Sequence, residues 1–389
     1  MKIAIIHDWL TGMRGGEKCL EIFCELFPHA DLYTLIHIPG SVSKTIEDRN
    51  INTSFIQKIP GIEKHYRSFL PLFPLAIEGF DLKGYDLILS SSHCVAKGII
   101  PSPNAIHISY VHTPMRYVWD NYHHYFGKGR VNWFSEKVIS ILAHYLRMWD
   151  VASSNRVDYF MANSNHVAKR IEKYYRRKSD VIYPPVDCDK FTPSERIEDF
   201  YLIVSAFAPY KRIDIAIEAF NRMGLRLKII GEGQDEKNLR KIARQNIEFL
   251  GWQYDNTLKE YYSKCKALIF PGEEDFGIVP VEAMASGRPV IAYGKGGAIE
   301  TVIPLNQGQG ARGKGQENPP TGIFFYKQTA EALIEAVKFF EDNQGEFDRN
   351  SIRNHALKFD RKIFKEKIRN YITEKYEEFQ SGLKNKDLT

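Results

Sequence analysis

Apolar runs alternate with amphipathic stretches along this chain, and the alternation predicts a series of strands and helices. The first run, KIAIIHDW at residues 2–9, resembles a buried strand. It passes through the loop TGMRGGE into an amphipathic helix at 17–27. The other strands predicted in the N-terminal half lie at residues 30–37, 85–92, 105–112 and 159–164. Strands that alternate with helices are typical of a parallel sheet covered on both faces.

A second series follows the double proline of YPPVD at residues 183–187, which interrupts regular structure. Its predicted strands are 200–207, 225–231, 247–252, 266–271 and 289–294, and its predicted helices are 213–222, 235–245, 255–264 and 280–286. Residues 305–322 are rich in Gly, Pro and Gln, which predicts a surface loop. A charged amphipathic helix is predicted from about 359 to 380.

The two series predict an α/β protein with two Rossmann-like domains that face a central cleft. We place the N-terminal domain at residues 1–182, the C-terminal domain at 183–360 and a terminal helical segment at 361–389. Ligands of open parallel sheets bind at the carboxyl ends of the strands. The residues that follow the predicted strands are therefore the candidates for a functional site.

Composition narrows the class of protein. The 389 residues are 43% hydrophobic and 26% charged, as in globular proteins of two domains. No apolar run reaches about 18 residues, so the sequence does not predict a membrane-spanning helix. The N-terminus resembles a buried strand more than a signal peptide, which predicts a cytoplasmic protein. An odd number of cysteines, five, without a C-x-x-C pair argues against a disulfide framework and a zinc site.

Charge is distributed unevenly along the chain. Residues 1–180 contain 22 Lys and Arg against 17 Asp and Glu, whereas the remaining residues contain 31 of each. This asymmetry suggests an anionic partner of the N-terminal half. A small excess of positive charge is also found on ordinary domain surfaces. Charge alone therefore does not decide between an anionic partner and an ordinary surface.

Two basic segments follow predicted strands. In the first loop, Arg14, Gly15 and Gly16 precede a helix start, where close backbone approach and free N–H groups suit a diphosphate. The loop resembles neither G-x-G-x-x-G nor a Walker loop, and a purely structural turn is an equal alternative. Lys211 and Arg212 follow the strand at 200–207 and could bind phosphates, or form a solvated turn with Asp214.

The strongest motif is EEDFGIVPVEAMASGRPVIA. Glu274 lies in the loop after a predicted strand, and Glu282 lies in the first turns of the next helix. One carboxylate can accept hydrogen bonds from sugar hydroxyls and the other can reach a ribose, while amides between them face a diphosphate. Those amides belong to Phe276, Gly277, Ile278 and Val279. The alternative is a pair of carboxylates that caps the helix.

His112 ends the strand at 105–112, beside the turn Thr113-Pro114. This position suits polar contact in a cleft, although a hydrogen-bonded core histidine is an equal alternative. Aromatic and basic residues are concentrated between residues 115 and 150. They would suit an acidic membrane surface or nucleic acid, and the packing of aromatic side chains between helices is the simpler explanation.

These residues resemble the retaining glycosyltransferases of family 4, which have the GT-B fold. Glu274 and Glu282 match the family's E-x7-E motif, Gly15 and Gly16 match its Gly-Gly loop, and Gly231-Glu232-Gly233 matches its glycine-containing turn. The resemblance covers residues 1 to about 360. The stretch YVHTPMRYVWD is similar to a subgroup that contains mannosyltransferases of surface-polysaccharide assembly.

The resemblance implies a role for individual residues. Glu282 would bind the donor ribose, Glu274 would bind the hydroxyls of the donor sugar, and Lys211 would pair with the diphosphate. Gly16 and the backbone amides of residues 277–279 would donate further hydrogen bonds to the diphosphate. His112 would lie beside the donor sugar. The residues implied for the base pocket are Trp252 and Gln253, and the candidates on the acceptor side are Arg14, Arg116 and Asp120.

One position departs from the family pattern. The family places an arginine five residues before the diphosphate lysine, and this chain has Ala206 there. Arg212 or Arg14 could replace that cation. No D-x-D metal motif lies in a suitable loop, so we expect cationic side chains and amides to stabilise the leaving diphosphate without a metal.

The resemblance implies transfer of a hexose, with mannose from GDP-mannose as the expected donor, and with no further cofactor. The acceptor would be a lipid-linked oligosaccharide, lipopolysaccharide or exopolysaccharide, held by the N-terminal domain at the inner face of the cytoplasmic membrane. Peripheral contact with anionic lipid would explain the basic N-terminal half, and no nucleic-acid partner is expected. The terminal helix would return to the N-terminal domain, as in relatives.

Three alternatives remain open from the sequence. The donor could be a UDP-linked glucose, galactose or N-acetylglucosamine. The protein could instead be a GT-B sugar-nucleotide epimerase or a sugar-phosphate synthase. It could also be a relative that binds a nucleotide sugar without turnover, as the absence of the family's arginine at Ala206 would allow. The sequence leaves the acceptor, the linkage and the oligomeric state undetermined.

Overall fold

The computed structural model describes residues 1–120, 122, 133–305 and 318–386. The chain forms two compact units. Unit 1 comprises Met1–Pro184 and the C-terminal segment that begins at Phe364, and unit 2 comprises Pro185–Ile363. The sequence placed these divisions after residues 182 and 360.

Unit 1 contains a parallel sheet. Its strands are β1 (Ile3–His7), β2 (Asp31–Thr34), β3 (Ile51–Thr53), β4 (Leu87–Ser92), β5 (Ile106–Val111), β6 (Tyr159–Ala162) and β7 (Asp180–Val181). They lie in the order β3-β2-β1-β4-β5-β6-β7, and every paired strand is parallel to its neighbour. The winding direction reverses between β1 and β4, which is the point where such sheets bind ligands.

Helices cover the sheet of unit 1. They are α1 (Gly15–Leu26), α2 (Lys44–Glu47), α3 (Ile62–His65), α4 (Phe73–Glu78), α5 (Trp133–Ser154), α6 (Asn165–Tyr175) and, at the end of the chain, α14 (Arg361–Lys386). All residues of β1, β4 and β5 are buried, as expected where both faces of a parallel sheet are covered. In the part of the chain that the structure describes, no helix has the length and apolar character needed to cross a membrane.

The C-terminal helix α14 completes the core of unit 1. Phe364, Ile368 and Ile372 are buried in the cluster that contains Phe23 and Tyr110. The ring centroid of Phe364 lies 6.1 Å from that of Phe23 and 5.6 Å from that of Tyr110. The last helix of the chain is therefore an integral part of the first unit.

Unit 2 contains a second parallel sheet. Its strands are β8 (Tyr201–Val204), β9 (Leu227–Ile230), β10 (Ile247–Gly251), β11 (Leu268–Phe270), β12 (Val290–Tyr293) and β13 (Gly322–Phe325), in the order β10-β9-β8-β11-β12-β13. Its helices are α7 (Ile213–Met223), α8 (Glu236–Ile242), α9 (Asp255–Lys264), α10 (Ile278–Ala285), α11 (Ala298–Thr301), α12 (Ala330–Asp342) and α13 (Arg349–Ala356). The winding reverses between β8 and β11.

The predicted α/β class is confirmed, because each half of the chain forms its own parallel sheet. Three short strands, β3, β7 and β13, were not predicted. The predicted loop at 305–322 overlaps the start of β13, and its residues 306–317 lie outside the described part of the chain. A Cβ atom at Gly322 would lie 2.1 Å from the carbonyl oxygen of Val290, so this glycine allows β13 to pair with β12. The loop composition therefore concealed a strand that begins with a glycine.

We predict that Phe364→Ala lowers the free energy of unfolding of unit 1 by about 3–5 kcal/mol, because it removes a buried ring and leaves a cavity. Urea denaturation measures this change. Ile197→Ala, at a side chain of unit 2 that is 54% exposed, is the control and should change stability by less than about 0.5 kcal/mol. Equal stability of Phe364→Ala and the unsubstituted protein would contradict the packing of α14 against unit 1.

Candidate functional site

In unit 2, the two loops at the reversal point carry opposite charges. Lys211 follows β8, Glu274 follows β11, and the Lys211 ammonium forms an ion pair with Oε1 of Glu274. Both side chains remain partly exposed, at 19% and 16%. They line a small pocket with Ser205, Pro271 and Gly272. The structure thus brings together two residues that the sequence identified 63 positions apart.

Gly272 allows the two loops to approach. A Cβ atom at this position would lie 3.0 Å from Cα and 3.1 Å from the carbonyl oxygen of Lys211. These distances are shorter than most contacts of a Cβ atom, so a larger residue would require the two loops to move apart slightly. The sequence pattern gives no sign of this role of Gly272, because Lys211 is distant along the chain.

The loop that carries Glu274 also contacts two adjacent glycines, Gly296 and Gly297. The amide of Gly297 donates a hydrogen bond to the carbonyl oxygen of Glu274 at 2.8 Å. A Cβ atom would lie 2.3 Å from that oxygen if placed on Gly296, and 2.3 Å from Cα of Phe276 if placed on Gly297. The segment KGGAIE shows this Gly-Gly pair in the sequence, but its contact with the Glu274 loop depends on the tertiary fold.

Glu282 lies on α10 and is buried, with an exposed fraction of 7%. Its Oε2 accepts a hydrogen bond from the hydroxyl of Tyr262, on α9, at 3.0 Å. Gly277 precedes the helix in a left-handed conformation, with φ of 86°. Phe276 is buried against Phe359, whereas Ile278 and Val279 are only partly buried. Glu282 is thus held by a buried phenol.

The glycine-containing turn after β9 packs on the loop after β8. Gly231 has φ of 132°, and a Cβ atom there would lie 1.9 Å from the carbonyl oxygen of Ser205. After β10, Trp252 is 59% exposed and contacts the ring of Tyr254 edge to face, with centroids 4.6 Å apart. The side chain of Gln253 folds back and donates to the carbonyl oxygen of Leu250 at 2.6 Å.

Arg212 has a different neighbour from Lys211. Its guanidinium donates to both carboxylate oxygens of Asp214 at 3.2 and 3.1 Å, which is the alternative that the sequence left open. Arg212 also has a left-handed backbone conformation, with φ of 54°. Ala206 is exposed at the start of the same loop. The structure therefore places Lys211, and not Arg212, against Glu274.

In unit 1, a chain of hydrogen-bonded polar groups lies at the carboxyl ends of β1, β4 and β5. Nδ1 of His7 hydrogen-bonds with the hydroxyl of Ser91 at 3.0 Å, and the same hydroxyl hydrogen-bonds with Nε2 of His112 at 2.9 Å. Burial, and then the nearby rings of His93 and His7, lower the pKa of His112 to about 3. His112 is therefore neutral over the physiological pH range.

Asp8, directly after β1, organises the loop after β4. Its buried carboxylate accepts hydrogen bonds from the backbone amides of His93, Cys94, Val95 and Ala96, at distances from 2.6 to 3.0 Å. It also lies 3.0 Å from Nδ1 of His93. Burial would raise the pKa of Asp8, but the His93 ring and its hydrogen bonds outweigh burial and hold the pKa far below the usual value.

His93 is fixed on two sides. Asp8 contacts one edge of its imidazole, and the ring of Trp9 lies edge to face at a centroid distance of 4.4 Å. Burial lowers the pKa of His93, but the Asp8 carboxylate outweighs burial and raises it. The sequence pattern did not single out Asp8 or His93. His93 directly follows the predicted strand at 85–92, which is a signal that could have identified it, whereas Asp8 lies inside the predicted strand at 2–9.

The Gly-Gly loop covers this chain of polar groups. Gly15 is the first residue of α1, and the amide of the exposed Arg14 donates to Oε2 of Glu17 at 3.0 Å. A Cβ atom at Gly16 would lie 3.6 Å from Nε2 of His112 and 3.6 Å from Cε1 of His7. The structure therefore brings the predicted Gly16 and His112 together.

All three acceptor-side candidates belong to unit 1. Asp120 forms an ion pair with Arg170 and accepts a hydrogen bond from the hydroxyl of Tyr174. Arg170 also donates to the hydroxyl of Thr113 at 2.7 Å, which connects Asp120 to the turn after His112. Arg116 is partly buried in the same segment.

Much of the aromatic and basic stretch packs inside unit 1. Trp119 stacks on Tyr174, and a Cβ atom at Gly98 would lie 2.3 Å from the ring of Trp149. Tyr125, Phe126, Lys128 and Arg130 lie outside the described residues. An exposed apolar stripe runs along α5 at helical spacing and consists of Val138, Ile141, Tyr145 and Met148. The stretch thus contributes both to the core and to an exposed helix face.

Two known protein families match the chain, and their matches correspond to the two units. A family model described as Glycosyltransferase Family 4 matches residues 32–190, and one described as Glycosyl transferases group 1 matches residues 189–358. Together the two models cover most of both units.

Several curated proteins are similar to the chain. An uncharacterised glycosyltransferase of Methanocaldococcus jannaschii is 28% identical over 58% of the chain. An alpha-1,3/1,6-mannosyltransferase of Candida glabrata is 25% identical over 62% of it. The chain spans 64% of the length of each of these two relatives. An O-antigen chain mannosyltransferase of Salmonella typhimurium is 31% identical over 38% of the chain and 45% of its own length.

Solved structures resemble the chain at 16% identity, which is evidence for the fold alone. An Anabaena protein crystallised in complex with UDP aligns with a TM-score of 0.68 over 96% of this chain and 100% of its own. A sucrose-phosphate synthase from Thermosynechococcus elongatus aligns with a TM-score of 0.68 over 97% of this chain and 99% of its own.

We predict that Asp8→Asn lowers the free energy of unfolding of unit 1 by about 3 kcal/mol at pH 7, because it removes a buried charge that five donors satisfy. The pKa of Asp8 is lower in the folded chain than in the unfolded chain. Its stabilisation is therefore complete above about pH 4 and is lost as the pH falls further. The difference between Asp8→Asn and the unsubstituted protein should shrink at pH 3.5.

Urea denaturation at both pH values measures this effect. Asp81→Asn is the matched control, since Asp81 is exposed and accepts one backbone hydrogen bond, from Lys83 at 3.1 Å. A stability difference for Asp8→Asn that is the same at pH 7 and pH 3.5 would contradict the role of the Asp8 charge.

Proposed function

The chain belongs to glycosyltransferase family 4 and has the α/β GT-B fold, and we propose that it transfers a hexose from a nucleotide sugar to a lipid-linked glycan. We propose GDP-mannose as the donor, because mannosyltransferases of Candida glabrata and Salmonella typhimurium are among its relatives. The acceptor would be a lipid-linked oligosaccharide, lipopolysaccharide or exopolysaccharide. The name of the Salmonella relative, an O-antigen chain enzyme, supports an acceptor of this class.

The observation that carries the proposal is the ion pair between Lys211 and Glu274 at the reversal point of the unit 2 sheet. An ammonium and a carboxylate in one pocket suit the two parts of a sugar nucleotide. Lys211 would bind the diphosphate, and Glu274 would accept hydrogen bonds from the sugar hydroxyls. Glu282 and its hydrogen-bonded partner Tyr262 would bind the ribose.

We propose that transfer retains the anomeric configuration and needs no metal. The bond between the anomeric carbon and the diphosphate oxygen breaks, and the acceptor oxygen attacks from the same face. The proton of the acceptor hydroxyl passes to the leaving diphosphate. Lys211 and the amides of Gly277, Ile278 and Val279 would stabilise the charge on that group. His112 would hydrogen-bond a hydroxyl of a bound sugar.

We further propose that unit 1 contacts an anionic membrane. The stripe of α5 exposes Ile141 at 71% and Met148 at 55%, and Lys137 and His144 are exposed on the same helix. Apolar side chains beside a cationic lysine suit the surface of an acidic bilayer. The excess of basic residues in the first 180 residues supports the same contact.

A UDP-sugar donor is the second candidate. It is favoured by the similar Anabaena structure, which was crystallised in complex with UDP. Three other classes are an epimerase, a sugar-phosphate synthase and a binding protein without turnover. No feature of the two described sites favours any of them over a transferase, and the experiments distinguish them.

We predict that Glu274→Gln lowers kcat by about 10²–10³-fold, because the carboxylate would stabilise the reacting sugar. Hexose transfer is measured with GDP-mannose and with UDP-sugars, on lipid-linked acceptors. The donor is first identified by thermal shift, since a ligand at 100 times its Kd stabilises the protein by about 2.7 kcal/mol. The matched control is Glu273→Gln at the exposed neighbouring position, which should retain transfer.

Full transfer by Glu274→Gln would refute the role of this residue. A thermal shift with UDP-sugars and none with GDP-mannose would replace the proposed donor. Binding of a donor without transfer to any acceptor would favour a non-catalytic relative, and product formation without a glycan acceptor would favour an epimerase or a synthase.

We predict that the double variant Ile141→Ser, Met148→Ser weakens binding to vesicles containing phosphatidylglycerol by about tenfold, because two apolar side chains no longer enter the interface. Co-sedimentation at low and high salt measures binding, which should also fall as salt rises. Ile197→Ser, at an exposed apolar position in unit 2, is the control. Binding that is insensitive to both the double variant and salt would contradict the membrane contact.

A further inference from the structure

The hydroxyl of Ser91 lies between two histidine rings. It is 3.0 Å from Nδ1 of His7 and 2.9 Å from Nε2 of His112, and Ser91 is fully buried. A serine hydroxyl has a single hydrogen. It can donate to only one of the two nitrogens, so the other nitrogen must carry a hydrogen and donate to the Ser91 oxygen. The two rings therefore have linked hydrogen positions.

Glu17 determines which nitrogen of His7 carries a hydrogen. Its Oε1 lies 3.6 Å from Nε2 of His7, and both side chains are enclosed in the protein. Burial raises the pKa of Glu17, but the adjacent His7 outweighs burial and lowers it, so this carboxylate is ionised. An ionised carboxylate favours a hydrogen on Nε2 of His7, whether that ring is neutral or charged.

The state of Nδ1 of His7 then sets the direction of the Ser91 hydroxyl. When His7 is neutral, Nδ1 is an acceptor, so Ser91 donates to it and Nε2–H of His112 donates to Ser91. When His7 is protonated, Nδ1–H donates to Ser91, so Ser91 donates to Nε2 of His112. The neutral ring of His112 must then carry its hydrogen on Nδ1.

Nδ1 of His112 is the atom that would meet a ligand. This atom has no hydrogen-bond partner among the described residues. It is also not fully enclosed by the protein. The ring lies at the carboxyl end of β5, beside Gly16 of the loop that precedes α1. A ligand at this edge of the sheet would therefore contact Nδ1.

We propose that Glu17, His7 and Ser91 form a positioning relay that sets the hydrogen-bonding polarity of His112. With neutral His7, Nδ1 of His112 accepts a hydrogen bond from a sugar hydroxyl, and with protonated His7 it donates one. The importance of this polarity for catalysis rests on the proposed transferase function, whereas the linkage between the two rings does not.

Several charged and titratable groups face the relay. Glu17 comes from α1 and Arg14 from the loop before it, Asp8 follows β1, His93 follows β4, and His112 follows β5. Asp8 and His93 pair with each other at 3.0 Å. Burial and the neighbouring rings hold the pKa of His112 at about 3, so His112 itself stays neutral in either state of His7.

The test is ¹⁵N NMR of the full chain labelled at histidine, between pH 5 and pH 9. The ring nitrogen shifts identify which nitrogen carries the hydrogen, and spectra of His7→Gln and His112→Gln assign the two rings. We expect His112 to change from Nε2–H at high pH to Nδ1–H at low pH, over the pH range in which His7 becomes protonated. Glu17→Gln should move this change to lower pH, because the cation of His7 loses the adjacent carboxylate.

Ser91→Ala should abolish the change at His112 and lower kcat by about tenfold, because the ring loses the hydrogen bond that fixes it. Ser90→Ala is the matched control. Ser90 is fully buried in the same strand, and its hydroxyl hydrogen-bonds with Nε2 of another histidine, His107, at 2.9 Å. Ser90→Ala should retain both the change at His112 and the kcat of the unsubstituted protein.

The relay is overturned if His112 keeps one tautomer while His7 titrates, if His7 does not titrate in this range, or if Ser91→Ala leaves the change intact. Full kcat of Ser91→Ala together with a lost tautomer change would refute the catalytic importance and leave the linkage established. If no donor is transferred by any variant, the proposed function fails, and the NMR spectra still decide whether the relay exists.

Discussion

Both units depend on the reversal of winding in a parallel sheet. At the reversal point the connections on the two sides run in opposite directions, so the loops after the two central strands are free to hold polar residues. In unit 1 these loops carry Asp8 and His93, after β1 and β4. In unit 2 they carry Lys211 and Glu274, after β8 and β11. In each unit an acid–base pair thus connects the two loops.

The two pairs differ in what satisfies their charges. Five donors, four of them backbone amides, satisfy Asp8, which is buried and has little capacity left for a ligand. Lys211 and Glu274 are partly exposed. Buried charges with complete hydrogen bonding stabilise a loop, whereas exposed and exchangeable ones can bind a substrate. The pair in unit 1 therefore positions its neighbours, and the pair in unit 2 is the better binding site.

The candidate site residues that the sequence identified belong to short, continuous motifs. Glu274, Glu282 and Lys211 lie in short segments that follow strands, and periodicity indicated ten of the thirteen strands that the structure describes. It did not predict contacts made by close backbone approach. Gly272 and Gly297 act through atoms of Lys211 and Glu274, and Asp8 acts on amides 85 to 88 residues away. Such contacts have no local period, and the contact of Arg212 with Asp214 was one of two alternatives that the sequence left open.

The return of α14 to unit 1 has a consequence for biosynthesis. Phe364, Ile368 and Ile372 leave the ribosome only after the whole of unit 2 has been synthesised. Until then the side of this core that α14 covers has no partner, while unit 2 already has all of its strands. Since nascent domains generally fold in the order in which they are completed, unit 2 should reach its native state first. The first unit of the chain is thus the last to mature, and its exposed core makes it the part that chaperones would protect.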